Sequence, residues 1–292
     1  MKGDAKLWEI LNDKLDMLRS MGQLPQAIRV AETAVDLARR AFPEEDPSYG
    51  ISLEKLGQLH DQAGDKIAAK TSLIEAHDLL RKALPRDQVS VYRSGGRLAF
   101  LCDHLGQTEE AISFYKEAIA AGLQLPGLPH SELGTMLNNI ALMYRKSGEQ
   151  SAAEPYYLQA LELYEREAGP EHADVASVLN NLAVFYTNEK RFAEAERTHL
   201  RALAIRQKIH APDHSDIAQS KCNLAVVYHS QGDYPRAGDL YRASLESWER
   251  SPEKPPADYE IVASNYADLL RSLGKARQAN QLESRARKRR RA

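Results

Sequence analysis

One spacing governs this chain: small residues return every 42 positions along its 292-residue sequence. Gly22, Gly64, Gly106, Gly148, Gly232 and Gly274 stand on a single ladder, whose missing rung falls at Lys190. Five residues beyond each rung lies an alanine: Ala27, Ala69, Ala111, Ala153, Ala195, Ala237 and Ala279. Twelve beyond lie Ala34, Ala76, Ala118, Ala160, Ala202, Ser244 and Ala286. Seven such units account for the whole chain. Self-similarity at a fixed period of this size means a stacked array, with each unit burying its apolar face on the next.

The array overrides the prior of about two domains that length alone would set. Net charge is -2, which gives no general attraction to nucleic acid. The balance hides an asymmetry. Arg285, Arg287, Lys288, Arg289, Arg290 and Arg291 crowd one short stretch, and the remainder is clearly acidic. Cys102 and Cys222 fall in different units without CxxC spacing, so neither a zinc site nor a disulfide framework is expected. No apolar run reads as a signal peptide or membrane span, and a cytoplasmic location is expected.

The clearest unit runs from Glu132 to Gly169. Leu137, Ile140, Ala141 and Tyr144 recur at i, i+3, i+4 and i+7, one face of a first helix. Gly148 closes that helix. A second helix puts Ala153, Tyr157, Ala160, Leu161 and Tyr164 on one stripe. Asp174 then stands where the next helix wants an N-cap, and the same loop position carries Ser48, Ser90, Glu132, Asp216 and Asp258.

These residues resemble the tetratricopeptide repeat: Leu–small–Tyr in the first helix, glycine at the turn, and Ala, Tyr, Ala in the second. The usual unit is about 34 residues, so this one has longer helices or loops. AGPEHADVASVLNNLAVFY and HAPDHSDIAQSKCNLAVVY are similar to the repeats of kinesin light chains. The heptad coiled coil of a motor subunit is not present, so motor binding is not carried over. The resemblance implies an all-α, right-handed superhelical solenoid of about seven helix-turn-helix pairs that binds proteins or peptides in a concave groove.

Residues 1–125 read as divergent units one to three, 126–284 as regular units four to seven, and 285–292 as a basic tail. GLQLPGLPHS (122–131) marks the break, and SPEKPPAD precedes the last unit as a second Pro-rich loop. Lys14 occupies an apolar position of the first unit. Gly95-Gly96 inside a helix reads as drift, or as a hinge or room for a ligand's backbone, at a cost of about 1 kcal/mol per glycine.

The main candidate site is an amide ladder. Asn139, Asn181, Asn223 and Asn265 are spaced by 42 residues, and Asn138 and Asn180 add a second column. An amide offers both donor and acceptor, so such a row can hold the backbone of an extended peptide. Its alternative role is to bond neighbouring helices and lock repeat to repeat. Charges give direction. Glu9, Asp13, Asp16, Glu54 and Asp61, opposed by Arg19 and Lys55, predict an acidic end. Arg93, Arg97, Arg145 and Lys146, opposed by Asp103, predict a basic middle suited to an acidic peptide.

Two other readings stand beside this one. The basic stretch is expected either to be a solvated helix end or to hold nucleic acid or an anionic surface. The chain could also serve as a regulatory subunit of an enzyme supplied by another chain. Catalytic motifs are absent: there is no HExxH, P-loop, GxGxxG or GxSxG. His130, His172 and His214 share the 42-residue spacing and are expected to bond local backbone; His210 and His214 bracket Pro212 and make no helical metal pair. No cofactor, metal or reaction is expected.

Overall fold

The computed structural model describes residues 2–43, 46–82, 88–125, 127–128, 130–250 and 258–291. It is all helix, with no strand among the described residues. The elements are α1 (Lys2–Ser20), α2 (Leu24–Ala41), α3 (Ser48–Gln62), α4 (Lys66–Lys82), α5 (Gln88–His104), α6 (Thr108–Gly122) and α7 (His130–Ser147). They continue as α8 (Gln150–Ala168), α9 (Ala173–Asn188), α10 (Phe192–Ile209), α11 (Ser215–Gln231), α12 (Tyr234–Arg250), α13 (Asp258–Ser272) and α14 (Ala276–Arg291). Odd-numbered helices are the first of each pair and even-numbered helices the second. The SPEKPPAD loop lies mostly outside the described residues.

Two compact units divide the chain, Met1–Ala153 and Glu154–Ala292. In the first, each helix from α1 to α7 packs on its neighbours along the chain. In the second, α9 to α14 do the same, and α11 also touches α9 and α13. Among the described residues the main helix contacts stay within a repeat or join adjoining repeats, as in a stacked array.

The ladder explains how the pairs close. The alanines from Ala27 to Ala279 are all fully buried, because their small side chains let two helices approach. A larger residue there would overpack at a cost of roughly 1–3 kcal/mol. Ser244 is the polar exception on the second rung, and its hydroxyl donates to the Ala218 carbonyl at 2.7 Å. Apolar side chains fill the space between pairs: Leu15, Leu18, Leu53, Leu56 and Leu59 in the first unit, and Tyr241, Leu245, Trp248 and Tyr259 in the second.

The turn after each first helix needs a left-handed residue. Gly232 takes φ 81°, and the amides of Gly232 and Asp233 close the helix on His229 and Tyr228. At the missing rung Lys190 adopts φ 58° with the equivalent bonds to Thr187 and Tyr186. Backbone geometry is therefore kept where the glycine is not, and a side chain there pays roughly 1–2 kcal/mol.

One expectation is corrected. The N-caps of α9 and α11 are His172 and His214, not Asp174 and Asp216. Each imidazole Nδ1 accepts from the backbone N–H two residues on, at 3.3 and 3.2 Å. The aspartates sit inside the first turn, where a carboxylate suits the helix dipole. Gly95-Gly96 lies inside continuous α5, as expected. A Cβ on Gly95 would lie 3.3 Å from Ala118 Cβ, and one on Gly96 would lie 2.1 Å from Met136 Cε. Gly95 packs closely on Ala118, whereas a side chain at Gly96 would meet only the movable end of Met136.

A cleft in the first unit and its polar rungs

The first helices α3, α5 and α7 line a cleft of about 440 Å³. Arg93, Arg97 and Phe100 face it from α5, and Met136 and Asn139 from α7, with Tyr115 of α6 at its floor. Of the predicted peptide-contacting residues, Arg93, Arg97 and Asn139 are thus brought together. Arg93 is exposed and forms no ion pair among the described residues. Arg97 is bound to Glu54 of α3. Phe100 is half exposed, which is unusual for so large an apolar ring.

Asn139 is only partly free. Its Nδ2 donates to Tyr115 Oη at 3.2 Å. Tyr115 is buried, and burial pushes its hydroxyl up to about 12, so it stays a neutral phenol. Asn139 Oδ1 has no bond partner among the described residues.

The expected acidic end and basic middle resolve into pairs joining successive first helices. Asp16 meets Lys55 at 3.0 Å, Glu54 meets Arg97, and Asp103 meets Lys146 at 3.2 Å. Lys146 is therefore neutralised, and Arg145 is half-buried with its Nε lacking a partner. Two of these pairs are separated by 43 residues. That spacing, one more than the repeat, was a readable signal that the ladder alone did not raise.

In the second unit the same 43-residue separation joins amide to amide. Asn223 Nδ2 donates to Asn180 Oδ1 at 2.9 Å, and Gln219 Nε2 donates to Asn223 Oδ1 at 3.1 Å. These amides lock α9 to α11. Asn138, Asn181 and Asn265 are half-buried, and the first two are engaged within the protein.

A second recurring node was missed. Tyr186 donates to Glu154 at 2.9 Å, while Arg191 pairs with Glu154 at 2.6 Å and lies over the Tyr186 ring at 4.3 Å. One repeat on, Tyr228 donates to Glu196 at 2.7 Å and Arg236 covers the Tyr228 ring at 4.2 Å. The Arg191 guanidinium holds the Glu154 carboxyl below the usual carboxylate range. The order of the charged pair is exchanged between repeats: Arg191–Glu194 becomes Asp233–Arg236.

The tail is partly tied down. Arg285 pairs with Glu249 at 3.1 Å, and Arg289 donates to the Glu249 carbonyl at 3.4 Å. Arg287 and Lys288 are exposed. The side chains of Arg290, Arg291 and His130 lie outside the described residues.

Two clusters could suggest chemistry. His77 Nδ1 lies 2.8 Å from Ser94 Oγ, and His77 Nε2 lies 3.2 Å from Glu117. Ser94 is fully buried and gives its proton to the Ser90 carbonyl at 2.7 Å, so it presents no nucleophile. His210, His214 and Asp216 bring three ligand-type atoms within 4.8 Å. The two rings are stacked at 3.8 Å with planes 8° apart, His214 Nδ1 is used by the α11 cap, and His210 Nε2 lies 3.6 Å from Asp216. Both clusters hold helices together.

The tetratricopeptide-repeat family model matches residues 89–166, 174–250 and 216–292. The chain belongs to the tetratricopeptide-repeat family. Its 42-residue units are of the kinesin-light-chain type. BtubC (BKLC) from P. vanneervenii is 30% identical, with a TM-score of 0.62 over 80% of this chain and 95% of that one. A Podosopora anserina protein with nearly identical, kinesin-light-chain TPR-like repeats is 19% identical, with a TM-score of 0.58 over 68% and 93% of the two chains. YrrB, a tetratricopeptide-repeat protein with an unusual peptide-binding site, is 16% identical with a TM-score of 0.51 over 71% and 89%. The last two likenesses concern fold alone. No curated protein matches the sequence. Tetratricopeptide repeats are scaffolds that mediate protein or peptide binding. No helix among the described residues is long and apolar enough to cross a membrane.

Proposed function

We propose that this chain is a binding adaptor whose first-unit cleft takes an extended, acidic peptide segment. One observation carries the reading: Arg93 stands exposed and unpaired beside Phe100 and Met136 in a cleft that also holds Asn139. A carboxylate on Arg93 contributes about 1.5–3 kcal/mol as a charge-assisted bond. Covering the apolar wall of the cleft and bonding the free amide atoms of Asn139 add to it.

The amide ladder divides its labour in this reading. Asn139 grips backbone. Asn265 keeps bonding capacity, and Arg97 contributes charge shared with Glu54. Asn180 and Asn223 are spent on one another and act as repeat locks.

Selection of random ten-residue peptides against the full chain tests the proposal. Enrichment of Asp and Glu beside an apolar residue is expected, with loss of that enrichment on Arg93→Glu. Selection of basic peptides, or an unchanged selection by the variant, overturns it.

A further inference from the structure

The first helix leaves bare a face that the other first helices largely bury. Met17 is 54% exposed, whereas its ladder equivalents Leu59, Leu101, Met143, Phe185, Val227 and Leu269 are 0% to 3% exposed. Leu7 and Ile10 are 48% and 52% exposed, whereas Val175 and Val178 at the same two positions of α9 are 0% and 2%. Between them stands Lys14, exposed and without an ion pair among the described residues, where other units carry Leu56, Leu98, Ile140, Leu182 and Leu224.

Elsewhere this face is the seat of the preceding second helix. Leu73 of α4 clusters with Leu98 and Leu101 of α5, and the Tyr241 ring of α12 lies tilted beside Tyr266 of α13, 5.9 Å between centroids. Leu98 and Tyr266 are the ladder equivalents of Lys14. One position of the second helix (Leu73, Tyr115 or Tyr241) therefore rests on the position that Lys14 occupies.

We propose that the bare face of α1 seats an amphipathic helix of another protein, with a carboxylate at the position that meets Lys14. The occupant follows from the repeated interface this face continues and from the charge at its centre. A second copy fits poorly. Two α1 faces paired symmetrically would set Lys14 against Lys14. Head-to-tail stacking would set α14 on α1; Glu283 would reach Lys14 but is bound to Arg271 at 2.8 Å. Arg287, equivalent to the His77 that contacts Ser94, would be driven onto Ile10.

The test uses the full chain and a labelled peptide of residues 108–122, which is the α6 helix that fills the equivalent seat on α7. A lactam bridge between Glu109 and a lysine placed at position 113 (Ser113→Lys), both exposed, holds it helical. One form keeps tyrosine at 115 and the other carries Tyr115→Glu. The Tyr115→Glu peptide is expected to bind about tenfold more tightly. Lys14→Leu should invert that preference, and Met17→Asp, on the exposed side of α1, should abolish binding of both without changing helicity. Absence of binding by either peptide, or binding that ignores Lys14→Leu and Met17→Asp, overturns the proposal. Self-association in sedimentation that Met17→Asp removes would show that a second copy covers the face, and would overturn it too.

Discussion

The side-chain amide of Asn139 donates to the hydroxyl of Tyr115 over 3.2 Å, tying α7 to the buried stripe of α6. A residue expected to meet a ligand thus also completes the core beneath the cleft. Asn139→Ala strands a buried phenol and should cost about 1–3 kcal/mol. Tyr115→Phe removes the partner as well, and the double variant should cost less than the sum of the two. Urea midpoints of the four proteins measure the coupling.

Lys190 and Gly232 hold the same left-handed turn one repeat apart, at φ 58° and 81°. Lys190→Gly should therefore stabilise the protein by about 1 kcal/mol, and Gly232→Ala should destabilise it by a similar amount. Chemical denaturation of the two variants checks both signs.

His199 stands on the ladder of Tyr115, Tyr157 and Tyr241, fully buried, and neither ring nitrogen finds a partner. Burial, and then the Arg206 charge, lowers its pKa from 6.5 to about 4. The unfolded chain takes up the proton first as pH falls. Stability from the neutral ring is complete above pH 6.5 and declines towards pH 4, by about 3 kcal/mol at most. His199→Tyr, the residue found on the neighbouring rungs, should flatten this dependence in melts between pH 7 and 4.5.

The exchanged order of Arg191–Glu194 and Asp233–Arg236 predicts a tolerated swap. Arg191→Asp alone should lose about 1 kcal/mol, because Glu154 loses its cation. Adding Glu194→Arg should restore most of it by rebuilding the arrangement around Glu196 and Tyr228. Denaturation of the single and double variants decides.

Much of this was legible in the sequence. The 42-residue ladder located all seven helix pairs, because small residues at close helix crossings cannot drift freely. Lys190 shows that a missing glycine did not mean a missing turn, since the hydrogen bonds around it suffice to hold a strained residue. The caps were misplaced by two residues because Asp is the commoner capping side chain, whereas His172 and His214 place Nδ1 where a carboxylate oxygen usually sits. Gly95-Gly96 was ambiguous because the steric reason for Gly95 lies on another helix, in Ala118. The groove charges were found, but their pairing was not. Glu54 and Arg97 lie a full repeat apart, and only the stacking register brings them together.

The most direct test of the account measures the affinity of one selected acidic peptide for four proteins: the parent, Arg93→Glu, Asn139→Ala, and Asn180→Ala with Asn223→Ala. The account predicts a loss of more than about tenfold with Arg93→Glu and a smaller loss with Asn139→Ala. The double variant, provided it remains folded, should bind within about twofold of the parent. Binding that survives Arg93→Glu, or that fails only when Asn180 and Asn223 are removed, would contradict the assignment of the first-unit cleft as the peptide site.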